Sequence, residues 1–96
     1  MEVNVDVEYC GACGYQKQFL DMAEKIKALA PNANVTGKDG KEGTFEVQIN
    51  EQLVHSKLQT LAFPDHDDVS EIVKEVLEGN PIRKVKKQQP IECSIQ

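Results

Sequence analysis

Valine alternates with polar residues near the start of the chain, where Val3, Val5, Val7 and Tyr9 fall between Glu2, Asn4, Asp6 and Glu8. A period of two sends successive side chains to opposite faces, so this stretch predicts a strand with one buried side. The spacing then changes. Tyr15, Phe19, Met22, Ala23, Ile26, Leu29 and Ala30 recur at helical intervals, and Pro31 with Asn32 ends that pattern. Ala33 to Thr36 predicts a short strand, and the glycine-rich run Gly37 to Gly43 predicts a loop. Alternation resumes at Phe45, Val47 and Ile49, and a second segment, Gln52 to Lys57, follows the turn residue Asn50, as in an antiparallel hairpin. Asp65, Asp67 and Asp68 crowd a helix start, Val69, Ile72, Val73, Val76 and Leu77 form its apolar stripe, and Gly79 supplies the stop.

The order β-α-β-β-β-α suits an α+β fold, an α/β sandwich in which a mixed four-stranded sheet is covered by two helices. Ninety-six residues, 40% of them hydrophobic, suffice for one such domain and leave no room for a second. Pattern is lost beyond Gly79, where Pro81, Gln88, Gln89 and Pro90 are mixed with lysines. Residues 1–80 are therefore expected to form the domain and 81–96 a flexible basic tail.

Charge refines this division. Seven lysines against fifteen acids give residues 1–80 a charge of −8, whereas Arg83, Lys84, Lys86 and Lys87 against Glu92 give the remainder +3. The overall −5 argues against a nucleic-acid partner, because phosphate contacts need a basic face. Three cysteines cannot all pair internally, which favours the reducing cytosol over a secreted disulfide scaffold. The amino-terminal residues offer neither an apolar signal segment nor an Arg-rich transit pattern, and no run of apolar residues is long enough for a membrane helix.

The chemistry centres on Tyr9-Cys10-Gly11-Ala12-Cys13-Gly14. Cys10 closes the first strand and Cys13 is expected to open the helix, where free N–H groups and the helix dipole favour negative charge on sulfur. Two intervening residues bring the sulfurs within bonding reach, so a mixed disulfide with a substrate can be resolved inside the molecule. A zinc site needs about four N or S ligands; after this pair only Cys93, His55 and His66 remain, without paired spacing, and no metal is expected. His55 suits a packed or surface position on the hairpin. Asp65, Asp67 and Asp68 suit helix capping and lack the spacing of a calcium loop.

Val7 to Tyr15, Gly43-Thr44-Phe45-Glu46-Val47 and Leu53-Val54-His55-Ser56-Lys57 together resemble the selenoprotein W family of thioredoxin-like redox proteins. Phe63-Pro64 and the tail ending in Cys93 resemble its migration-and-invasion-enhancer branch. The likeness runs in order through residues 3–78. It implies a thioredoxin-like sheet with two helices, a redox centre at Cys10 and Cys13, and glutathione-linked or peroxide-linked redox signalling. It also implies protein thiols or disulfides and glutathione as partners, with glutathione as reductant and no bound cofactor, and 14-3-3 adaptor proteins as a further partner. Many family members carry selenocysteine where Cys13 stands. Thioredoxin logic makes Cys10 the attacking sulfur, whereas the selenoprotein W pattern assigns that role to position 13. Unlike thioredoxin, the chain has no proline just before the strand that starts at Phe45.

Cys93-Ser94-Ile95-Gln96 fits the C-terminal prenylation pattern, with Gln favouring farnesyl. Arg83, Lys84, Lys86 and Lys87 would add the electrostatic contact that a single lipid needs at an anionic leaflet. The expected protein is thus a low-turnover thiol-disulfide oxidoreductase or sensor, cytoplasmic and held at the membrane's cytoplasmic face. Its alternative is a redox-switched adaptor without turnover, and Phe63, if exposed beside the loop, would suit either.

Overall fold

A computed structural model describes residues 2–89. Strand β1 (Asn4–Tyr9) is followed by helix α1 (Gln16–Leu29), strand β2 (Asn34–Asp39), the hairpin of β3 (Phe45–Ile49) and β4 (Gln52–Ser56), a single turn of helix α2 (Lys57–Thr60), and helix α3 (His66–Leu77). The sheet order is β2-β1-β3-β4; β1 runs parallel to β2 and antiparallel to β3, and β3 is antiparallel to β4. This is the mixed four-stranded sheet expected, with α2 as an added element.

The alternation that runs from Val3 into β1 buries Val3, Val5 and Val7 in one core with Phe45, Val47 and Ile49 of β3. Met22 and Ile26 of α1 and Val69, Ile72, Val73 and Val76 of α3 complete the core, all removed from water as the apolar stripes require. Asp65 caps α3 by accepting the N–H groups of Asp67 (2.9 Å) and Asp68 (3.2 Å), and Gly79, at φ 96°, ends it. Asn50 (φ 49°) and Glu51 (φ 71°) turn the hairpin.

Two boundaries differ from those expected. β2 runs to Asp39, through part of the glycine-rich stretch, because six residues pair in register with β1 from Asn4↔Asn34 to Tyr9↔Asp39. Gly37 makes this fit: a Cβ there would lie 2.6 Å from the Phe19 ring that packs over it. The larger correction concerns the tail. Residues 81–89, expected to be flexible, are fastened to the domain.

The fastening point is Asp68. Its carboxylate accepts the N–H groups of Lys86 (2.7 Å) and Lys87 (3.1 Å) and pairs with Arg83 Nη2 at 3.1 Å. Arg83 Nε also donates to Glu75 at 3.1 Å. Val85 N–H donates to Val54 O, and Gln89 N–H to Phe63 O. Burial opposes the charge on Asp68, but these N–H groups and the guanidinium outweigh it and hold its carboxyl below the usual range. Asp68 thus binds the strap, not the helix end that capping would have required.

Candidate redox site

Because β1, β2 and β4 all run opposite to β3 or parallel to one another, their C-terminal ends meet the start of β3 at one end of the sheet. Cys10 leaves β1 there, and its N–H donates to Thr44 O at 2.9 Å. Thr44 immediately precedes β3, the place where the sequence departs from thioredoxin.

Cys10 and Cys13 are joined by a disulfide across a Cα separation of 5.3 Å. Turns occupy residues 11–15, and α1 begins only at Gln16, so Cys13 stands ahead of the helix and does not open it. Backbone groups of the turn supply the polar contacts instead: Cys13 N–H lies 3.1 Å from Cys10 Sγ, and Tyr15 N–H donates to Cys10 O at 3.2 Å. The two sulfurs are unequal in access. Cys10 is 1% exposed, whereas Cys13 is exposed. Attack by an external thiol on the Cys13 sulfur would expel Cys10 as thiolate, beside an N–H group placed to stabilise it.

Asp39 also contributes, although no local pattern marked it. Its carboxylate accepts Gly11 N–H at 2.8 Å, and a Cβ on Gly11 would lie 2.8 Å from the same oxygen. These residues are separated by twenty-eight positions and meet only because the β1–β2 register sets Asp39 opposite Tyr9. On the helix side, Tyr9 stacks on Phe19 at 5.4 Å. Tyr15 meets Phe63 edge-on at 4.9 Å, and Phe63 in turn meets Phe45 at 5.3 Å. Phe63 is accordingly half-buried in an aromatic cluster, so the condition of exposure on which its contact role depended is met only in part. Lys57 Nζ sits over the rings of Tyr15 (5.4 Å) and Phe63 (5.1 Å).

The remaining candidates lie elsewhere. His55 is buried, with Nε2 2.8 Å from Ala62 O, and burial pushes its pKa down. His66 joins Gln18 (2.9 Å) and Gln89 (3.1 Å), and its pKa is likewise lowered, chiefly by burial. Arg83 is engaged by Asp68 and Glu75 and is not a free membrane contact; the side chains of Lys84, Lys86 and Lys87 are exposed. Cys93 and the prenylation pattern lie outside the described residues. Among the described residues, no group of three His, Cys, Asp or Glu side chains is placed to hold a metal ion.

Comparison with known proteins agrees with this architecture. Residues 4–75 match the model of the Rdx family. The chain is 35% identical to Migration and invasion enhancer 1 of Mus musculus over 88 residues, covering 92% of this chain and 76% of that protein. It is 33% identical to Selenoprotein W of Danio rerio over 81 residues, covering 81% of this chain and 94% of that one. In shape it matches the crystal structure of a selenoprotein W-related protein from Vibrio cholerae with a TM-score of 0.74 at 15% identity, over 80% of this chain and 99% of that one.

Proposed function

The chain belongs to the Rdx family, and on that premise we propose that it is a thiol-disulfide redox protein in which Cys13 attacks and Cys10 resolves. The observation that carries this reading is the pairing of one exposed sulfur with one buried sulfur in a single bond at the end of the sheet. In the forward direction the Cys13 thiolate attacks a partner disulfide, forming a mixed disulfide and releasing one partner thiolate. Cys10 then attacks the Cys13 sulfur, the mixed disulfide breaks, and the second partner sulfur leaves as thiolate. Two electrons have passed from the dithiol to the partner. Two equivalents of a monothiol reductant, for which we propose glutathione, restore the dithiol by the reverse exchange.

The test is trapping. Cys10→Ser, which keeps the attacking sulfur and lacks the resolving one, is expected to accumulate a mixed disulfide through Cys13 when offered a small disulfide. Cys13→Ser is expected to react at least about tenfold more slowly, since its remaining thiol is buried. Mass spectrometry after acid quenching reads both; faster trapping by Cys13→Ser would reverse the assignment. We also propose that the exposed Lys84, Lys86 and Lys87 favour an anionic membrane surface when Cys93 carries a lipid, which places the protein on the cytoplasmic face.

A further inference from the structure

The peptide between Cys10 and Gly11 is held at both ends. Its carbonyl, Cys10 O, accepts the N–H groups of Cys13 (3.3 Å) and Tyr15 (3.2 Å), and its N–H, on Gly11, donates to Asp39 Oδ1 at 2.8 Å. In a trans peptide these two groups point in opposite directions, so a partner on each side fixes the plane between them. Cys13 N–H, shared between that carbonyl and Cys10 Sγ (3.1 Å), takes its aim from the same plane. The main chain around Cys10 is fixed without side chains: Cys10 N–H donates to Thr44 O (2.9 Å), and Gly40 N–H, next to Asp39, donates to Tyr9 O (2.7 Å). Asp39 adds a restraint inside the turn itself, from a side chain twenty-eight positions away.

Gly11 admits this contact. A Cβ at position 11 would lie 2.8 Å from Asp39 Oδ1 and 3.2 Å from its Cγ, so a larger residue would push the carboxylate off the amide. The neighbourhood holds charges of both signs. Lys38 precedes Asp39 and stands opposite Glu8 in the β1–β2 register, and Lys41 N–H lies 3.4 Å from a Glu8 oxygen. Asp39 forms no salt bridge with a described residue. Its distinguishing feature is an acceptor oxygen aimed at one amide, not a net field.

We infer that Asp39 is a positioning residue for the exchange reaction: acting through the Cys10–Gly11 peptide, it keeps Cys13 N–H directed at the Cys10 sulfur and so stabilises Cys10 as the thiolate that leaves. The inference rests on the dithiol reading above. When an external thiolate attacks the Cys13 sulfur, a new S–S bond forms, the Cys10–Cys13 bond breaks, and its electron pair goes to Cys10. A second thiol then attacks the external sulfur of the mixed disulfide and releases Cys13 as thiolate, which completes a two-electron reduction. A better-stabilised leaving sulfur speeds the first of these steps. Water can satisfy Gly11 N–H if the carboxylate is removed, because the turn is exposed, but it gives that amide no fixed direction.

The experiment measures two rates in the full chain. The first is reduction of the Cys10–Cys13 disulfide by excess β-mercaptoethanol, an uncharged thiol, quenched in acid and read by mass spectrometry. The second is alkylation of Cys13 by iodoacetamide in the reduced Cys10→Ser chain, with and without Asp39→Ala, where no Cys10 sulfur exists to be assisted. Asp39→Ala is expected to slow reduction about tenfold, the scale of partly losing one hydrogen bond to a charged sulfur, and to leave alkylation within about twofold. Asp39→Asn, which keeps an acceptor oxygen without the charge, is expected to hold reduction within about threefold of wild type. Gly11→Ala, which displaces the carboxylate without removing it, is expected to slow reduction as Asp39→Ala does. Wild-type or faster reduction in Asp39→Ala or Gly11→Ala, an Asp39→Asn rate as low as that of Asp39→Ala, or an equal fall in alkylation would overturn the positioning role and leave the dithiol reading standing. A wild-type disulfide that resists the thiol, or a Cys13 that does not react in the Cys10→Ser chain, would overturn both.

Discussion

Replacing Asp68 with alanine removes the group on which the C-terminal strap converges. Three charge-assisted hydrogen bonds end on this carboxylate, from the N–H groups of Lys86 and Lys87 and from Arg83. Bonds of this type contribute about 1.5–3 kcal/mol each when a charge is involved, but the donors lie near the surface and regain water when released. Arg83 is 26% exposed and keeps Glu75, so its unpairing costs less than that of a sealed ion pair. A net loss of about 2–4 kcal/mol follows, which for a domain of this size lowers Tm by roughly 10–20 °C. Thermal denaturation measures the total, and hydrogen exchange locates it. The amides of Val85 and Gln89, bonded to Val54 O and Phe63 O, are expected to lose protection while Ile26 in α1 keeps it. Acid gives an independent check of sign. Because the folded-state pKa of Asp68 is depressed, its contribution is present above its ordinary value of 3.8 and disappears as pH falls through the lower folded value. Unchanged protection at Val85 and Gln89 in Asp68→Ala, with Tm within about 2 °C of wild type, would refute the clasp.

Two further perturbations probe the site's supports. Gly37→Ala puts a methyl 2.6 Å from the Phe19 ring, so it is expected to destabilise by about 1–3 kcal/mol despite alanine's lower chain entropy; a neutral urea midpoint would show that the ring can shift freely. His55 and His66 both have depressed folded-state pKa values, which means the unfolded chain takes up protons first as pH falls below about 6.5. Stability is therefore expected to be complete near neutrality and to decline from about pH 7 towards pH 5. His55→Gln, at the more enclosed position, should flatten that slope, and a flat wild-type profile over the same range would contradict the burial argument.

The elements were legible because each is written in neighbouring residues. Alternating valines in β1, the helical recurrence from Phe19 to Ile26 and the Asp65 cap need only local spacing to be read. The same locality made the Cys10–Cys13 pair visible, since the two sulfurs are three positions apart. It failed at the tail: a lysine-rich segment without an apolar period looks unstructured when its anchor, Asp68, is eighteen positions away and resembles a helix cap. The one-turn helix α2 was missed for a related reason, being too short to display a period.

By itself, then, the sequence determined the order of strands and helices, the faces they bury and the presence of a vicinal dithiol, because backbone geometry converts adjacent residue spacing directly into direction in space. Only the tertiary structure decided which sulfur meets solvent, that Asp39 holds the loop and that Arg83 is occupied. Exposure and pairing depend on what arrives from elsewhere in the chain, and that is set by strand register and packing, which no local pattern contains.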